Sequence, residues 1–241
     1  MLKAIVVIPT YNEIENIDQI IHAVFSLQTE FHILIVDDNS PDGTSKKVED
    51  LQQQYKEKLF LSVRTKKSGL GTAYVHGFKW ALSKGYKYIF EMDADFSHNP
   101  QDLERLLFAC EKEQADVAIG SRYSTGVNVV NWPLNRVLMS YFASVYVKLI
   151  TGMKIHDATA GFICYRRNVL EKINLDRIKF IGYAFQIEMK YRAYVQKFKI
   201  VEVPIIFTDR TKGQSKMSGS IIREAVFGVV LLRIRKIFNQ L

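Results

Sequence analysis

Asp93 and Asp95 stand two positions apart in the run Glu91-Met92-Asp93-Ala94-Asp95-Phe96-Ser97-His98, directly after the strand signal Tyr88-Ile89-Phe90. In an extended chain, carboxylates at that spacing point the same way. Paired at a strand end, they suit a hard divalent cation that keeps some waters and takes its other ligands from a substrate's phosphates. A polar turn running into a helix cap would explain the same residues without chemistry. Further polar segments follow other apolar runs: Pro9-Thr10-Tyr11-Asn12-Glu13, Asp37-Asp38-Asn39-Ser40-Pro41-Asp42-Gly43-Thr44, Lys66-Lys67-Ser68-Gly69-Leu70-Gly71-Thr72 and Gly120-Ser121-Arg122-Tyr123. Neither a Walker A lysine loop nor the dinucleotide Gly-x-Gly-x-x-Gly occurs. Ligand phosphates are therefore expected on a metal and basic side chains, not in a glycine cradle.

These segments need a scaffold, and the apolar pattern supplies one. Ile5-Val6-Val7-Ile8, Ile33-Leu34-Ile35-Val36, residues 59–63, residues 88–92 and Val117-Ala118-Ile119 read as strands covered on both faces. Between them Ile14, Ile17, Ile20, Ile21 and Val24 recur at helical spacing, and Val48, Leu51 and Tyr55 mark a second helix. Residues 72–83 and 100–110 form a third and a fourth. Strand–helix alternation with short connections predicts an α/β fold, a Rossmann-like, mostly parallel sheet flanked by helices. In such sheets ligands gather beyond the carboxyl ends of the strands, where the polar segments fall.

The chain has 241 residues, 48% of them apolar, and a net charge of +8. That excludes a disordered class and invites polyanionic partners. No zinc-finger spacing or ribonucleoprotein motif occurs and the basic residues are dispersed, so no nucleic-acid partner is expected. Cys110 and Cys164 sit in apolar-periodic segments and read as reduced core residues. Met1 runs almost directly into a strand, so no leader is expected and a cytoplasmic protein is. His22, His32, His76, His98 and His156 have no metal spacing and are treated as structural, with His98 nearest the acid pair.

Taken in order with Arg210-x-x-Gly213-x-Ser215-Lys216, these motifs resemble the family 2 glycosyltransferases of the A-type glycosyltransferase fold. Within that family they resemble the polyprenyl-phosphate (dolichyl-type) mannosyltransferases, over about residues 3–220. The resemblance implies inverting transfer of mannose from GDP-mannose to a polyprenyl monophosphate, with Mg²⁺ or Mn²⁺. UDP-glucose or another nucleotide sugar, with a lipid-phosphate or glycan acceptor, is the alternative, and a non-catalytic nucleotide-sugar-binding subunit a third.

Carried over by position, Pro9, Tyr11, Glu13, Val36 and Asp38 become nucleotide-contacting residues, with Asp38 toward a base N–H. Glu13 equally suits the N-terminus of the following helix. Asp42 reads as a turn and helix cap. Asp93, Ala94 and Asp95 match the diphosphate–metal segment, with Asp95 the direct ligand and Asp93 toward ribose or metal-bound water. Ser97 stands where the family in some members carries Gln, which leaves its ligand role open. Arg122 is expected at the reaction centre, able to hold a phosphate bidentately. Arg136 and Ser140, one helical turn apart among Trp132, Leu134, Val137, Leu138, Tyr141, Phe142 and Val145, match the acceptor-phosphate site. Arg210 and Lys216 lie on a polar segment, 209–220, that the resemblance makes a loop closing over the diphosphate. Asp157 either binds a sugar hydroxyl or caps a helix, and would be the base if the acceptor were a glycan hydroxyl.

Residues 1–220 are read as one catalytic domain and 221–241 as an amphipathic helix. Its longest charge-free stretch runs from Ala225 to Leu232, far short of the roughly 20 residues of a spanning helix. That helix fits the cytoplasmic side of a membrane as a peripheral element, a small integral membrane partner, or the enzyme's own core.

Overall fold

A computed structural model describes residues 3–210 and 219–238, with backbone alone at 183 and 219–225. The first half alternates as the apolar pattern requires: β1 (Ala4–Thr10), α1 (Ile17–Phe25), β2 (His32–Asp37), α2 (Thr44–Gln52), β3 (Leu59–Val63), α3 (Leu70–Ser83), β4 (Tyr88–Glu91), α4 (Asp102–Glu111) and β5 (Val117–Ser121). The second half is less regular: β6 (Val129–Val130), α5 (Leu134–Thr151), β7 (Ile163–Arg166), α6 (Arg167–Lys172), α7 (Tyr183–Val195), β8 (Ile200–Pro204), β9 (Phe207–Thr208) and α8 (Gly219–Ile237). Ile14 precedes α1 and is exposed, and Tyr55 lies beyond α2, stacked on Phe25.

The sheet runs β3-β2-β1-β4-β7-β5-β8. Every pairing is parallel except those of β7, which lies antiparallel between β4 and β5. Its strands bury both faces, so Ile5 and Val7 join one core cluster while Ala4, Val6 and Ile8 join the other. On one face α3 lies hard against the sheet: a Cβ on Gly77 would come within 2.4 Å of Val7 Cγ1.

The C-terminal helix α8 begins at Gly219 and packs on α7 and α5. Val229 and Leu232 are buried in the main core, while Phe227, Leu231, Ile234 and Phe238 are exposed. From Val226 onward the helix is thus apolar on its outer as well as its inner face, with Arg233, Arg235 and Lys236 near its end. No helix among the described residues is long and apolar enough to cross a membrane.

Candidate active site

The carboxyl ends of β4 and β5 open into a cavity of about 400 Å³. Asp93, Asp95, Ser97 and His98 enter it from the turn after β4, and Arg122 from the end of β5. Arg136 and Ser140 face it from α5, and Arg210 from the segment after β9. The acid pair leaves the sheet in a turn, not along an extended strand. At its centre the bulky Phe96 takes a left-handed φ of 59°, a conformation that costs such a residue about 1–2 kcal/mol. The turn lets Ser97 N–H donate to Asp95 Oδ1 at 3.0 Å.

Two carboxylates facing one cavity repel. Burial, and then the charge on Asp95, push the Asp93 carboxyl up to about 7, with Arg210 opposing. Tyr74 OH donates to Asp93 Oδ1 at 3.3 Å, and Arg210 Nη2 lies 2.8 Å from Asp95 Oδ2. No group of three or more His, Cys, Asp or Glu side chains suited to a metal occurs among the described residues. The pair fits a divalent ion whose remaining ligands are substrate oxygens and water, since two carboxylates face one space with only Arg210 offsetting their charge and no third protein ligand among the described residues.

Each arginine of the cavity meets a carboxylate. Arg122, almost fully buried, donates from Nε and Nη2 to Asp157 at 2.7 and 2.6 Å and from its backbone N–H at 2.9 Å. Nη2 also donates to Thr159 Oγ1 at 2.8 Å. Burial raises the Asp157 carboxyl, but the Arg122 charge and hydrogen bonds outweigh it and hold the group below the usual range. No helix starts at Asp157, and both of its oxygens are engaged by Arg122, which it orients. Arg136 donates from Nη1 to both oxygens of Asp209, at 2.8 and 2.9 Å, and lies over the Trp132 ring at 4.1 Å.

His98 stacks on Phe162, edges Phe207 and lines the cavity, and burial drives its imidazole down to about 4, leaving it neutral. The other histidines sit elsewhere, His22 on Tyr55, His32 on Tyr86, His76 on Ser62 and His156 on Glu202.

The residues expected from the sequence to contact a nucleotide, Pro9, Tyr11, Glu13, Val36 and Asp38, lie outside the cavity lining, at the adjoining strand ends. Pro9 and Val36 are register partners of β1 and β2. Val36 is fully buried, so its side chain belongs to the core, and Ala94 is nearly so. Tyr11 lies under Lys67 Nζ, 4.3 Å from the ring centroid, and Glu13 Oε2 accepts from Asn16 Nδ2 near the start of α1. Asp38 already accepts from Arg64 Nε and Nη2 at 2.6 and 2.8 Å, an arginine the sequence reading passed over. Asp42 does form the turn before α2, accepting from Thr44 N–H at 3.0 Å. Lys216 and most of 209–220 lie outside the described residues.

Beneath the cavity α7 carries Gln186, Glu188, Lys190 and Arg192, all buried. Lys190 Nζ donates to the carbonyl of Ala160 at 2.6 Å, and Gln186 donates to Glu91. This polar floor under the strap from Asp157 to Gly161 was not foreseen.

The cavity opens between α5 and α8. Met139 and Phe142 of α5 and Val226 of α8 both line it and are exposed to solvent. Tyr146 OH ties the two helices by donating to the carbonyl of Val226 at 2.9 Å.

A profile of the family described as Glycosyl transferase family 2 matches residues 5–174. The chain is 49% identical over 233 residues to a protein named polyprenol monophosphomannose synthase from Mycolicibacterium smegmatis, covering 97% of this chain and 88% of that one. It is 43% identical over 228 residues to an undecaprenyl-phosphate mannosyltransferase from Micrococcus luteus, covering 95% and 93%. Its fold superposes, with a TM-score of 0.60 at 16% identity, on a mannosyltransferase from Pyrobaculum calidifontis solved with GDP-Man and Mn²⁺, over 98% of this chain and 64% of that one. The A-type glycosyltransferase fold expected from the sequence is the fold observed.

Proposed function

The chain belongs to glycosyl transferase family 2, and we propose that this enzyme moves mannose from GDP-mannose to a polyprenyl monophosphate at a membrane surface. One observation carries the reading: a cavity holding an acid pair and arginines has a mouth rimmed by exposed apolar side chains of α5 and α8. That mouth suits a head group with an anionic phosphate and an isoprenoid tail that stays in lipid. The names of the relatives at 49% and 43% identity support mannose and polyprenyl phosphate, and the complex with GDP-Man and Mn²⁺ supports the donor and a divalent metal, Mg²⁺ or Mn²⁺.

In this reading the nucleoside lies over the ends of β1 and β2, on Pro9, Tyr11 and Glu13, with Asp38 and its partner Arg64 toward the base. Asp93 and Asp95, with the main chain of Ala94, face the diphosphate, and Arg210 and Lys216 add positive charge there. A divalent ion held by Asp93 and Asp95 would neutralise charge building on the departing diphosphate. Arg122, Arg136 and Ser140 take the acceptor phosphate.

A phosphate monoester has a second pKa of about 6, so near neutral pH its oxygen is already an anionic nucleophile and needs no base. What opposes the reaction is the approach of two anions in a half-dry site. Arg122 and Arg136 offset that repulsion and orient the attacking oxygen toward the anomeric carbon. One in-line displacement inverts the configuration. A hydroxyl acceptor would require a base, and Asp157, with both oxygens engaged by Arg122, is poorly placed for that duty.

Arg136→Ala tests the assignment. It should raise the KM for a short-chain polyprenyl phosphate without weakening GDP-mannose binding. Selective loss of GDP-mannose affinity would move Arg136 to the donor side, and faster transfer from UDP-glucose than from GDP-mannose would overturn the donor.

A further inference from the structure

Asp209 and Arg210 are consecutive residues of opposite charge, and each is paired across the cavity. Asp209 engages Arg136 Nη1 with both oxygens, and Arg210 Nη2 lies 2.8 Å from Asp95 Oδ2. The two residues are pinned from the N-terminal side. β9 pairs with β6, Thr208 N–H donates to the Ser97 carbonyl at 3.2 Å, and Asp209 N–H donates to the Val130 carbonyl at 3.0 Å. A single short strap therefore spans from the acceptor arginine to the acid pair.

Resting on the functional reading above, we propose that Asp209 is a positioning residue that stands in for the acceptor phosphate and couples its binding to that of the donor. Its carboxylate presents to Arg136 the same two-oxygen anionic edge that a phosphate would. Asp209 occupies Nη1, so a phosphate that takes this nitrogen displaces the carboxylate, because two anions on one donor repel. At the other end, a metal-bound diphosphate on Asp95 competes with Arg210 for the same carboxylate oxygen. Displacing Arg210 draws on the residue bonded to it, so loading the donor loosens Asp209 from Arg136 and frees that arginine for phosphate. By linkage the effect is reciprocal: acceptor phosphate tightens the donor by the same factor. The pairs Arg136–Asp209 and Arg210–Asp95 offset charge across the cavity, and each substrate lowers the cost of admitting the other.

The test is calorimetric titration of a short-chain polyprenyl phosphate into the full-length protein, with and without saturating GDP and Mg²⁺. The parent should bind the lipid phosphate on the order of fivefold more tightly when GDP and Mg²⁺ are present, as one partly buried ion pair would give. Asp209→Asn should bind it that tightly with no nucleotide added, and GDP with Mg²⁺ should add nothing further. Asp209→Ser should behave alike, and Asp209→Glu should restore the coupling. Phosphate affinity unchanged or weakened in both Asp209→Asn and Asp209→Ser, with GDP still bound, would overturn the coupling role while leaving the functional reading intact. A parent that binds GDP with Mg²⁺ but no lipid phosphate under either condition would overturn the functional reading and this inference with it.

Discussion

The chemistry turns on charges that the fold brings together without fully neutralising. Asp95 is the group most exposed to test: Asp95→Asn keeps shape and removes ligand charge, so metal-dependent mannosyl transfer should fall by orders of magnitude. Near-normal turnover of that variant with Mg²⁺ supplied would detach the acid pair from catalysis. His98 makes a second prediction, in pH. Its imidazole titrates at about 4 in the fold against about 6.5 in an unfolded chain, because burial disfavours its charged form. Above pH about 6.5 both states are neutral and nothing is lost. As pH falls through the window from about 6.5 to about 4, only the unfolded state takes up the proton, and stability drops by on the order of 2–3 kcal/mol. Urea denaturation across that window should show His98→Phe flatter than the parent, and identical slopes would remove His98 from the acid response. The residue types of this site were legible, but their partners were not. Asp157 lies 35 positions from Arg122 and Asp209 73 from Arg136, and nothing local in the sequence marks either pairing.

At the level of elements, the parallel half of the sheet was readable because each strand is a continuous apolar run and each helix an apolar stripe. β7 escaped because four residues entering antiparallel between β4 and β5 leave no periodic signal. α7 escaped for a different reason. From Phe185 to Ala193 apolar and polar residues alternate strictly, a strand-like pattern, yet the segment is a helix buried on every side. Its polar residues are tolerated because each has a partner, as in Arg192 Nη2 to Glu188 Oε1 at 2.7 Å. The tight seat of α3 gives the prediction at this scale. In an open helix Gly→Ala gains about 1 kcal/mol. At Gly77 the new methyl would collide with Val7, so Gly77→Ala should instead destabilise by about 1–3 kcal/mol in equilibrium denaturation. A stabilised variant would mean that α3 can lift from the sheet without cost.

The whole molecule combines a basic chain with an apolar rim at the cavity mouth. Phe142 is 60% exposed and Phe227 70%, far more than a solvated surface needs. Arg233, Arg235 and Lys236 follow on α8, where anionic head groups would meet them. The protein should therefore co-sediment with anionic vesicles, less so in high salt, and Phe142→Ser with Phe227→Ser should weaken that binding without altering GDP affinity. Vesicle binding insensitive to both salt and the paired substitution would place the membrane contact elsewhere. The central claim is that a phosphate oxygen, not a hydroxyl, attacks the sugar. It is tested most directly by incubating the protein and GDP-mannose with equimolar short-chain polyprenyl phosphate, the matching polyprenol and a mannosyl glycan, then identifying the products by mass. With Mg²⁺ or Mn²⁺ present the account predicts polyprenyl-phosphate-mannose alone, lost on chelation; mannose transferred to the polyprenol or the glycan in preference to the phosphate would contradict it.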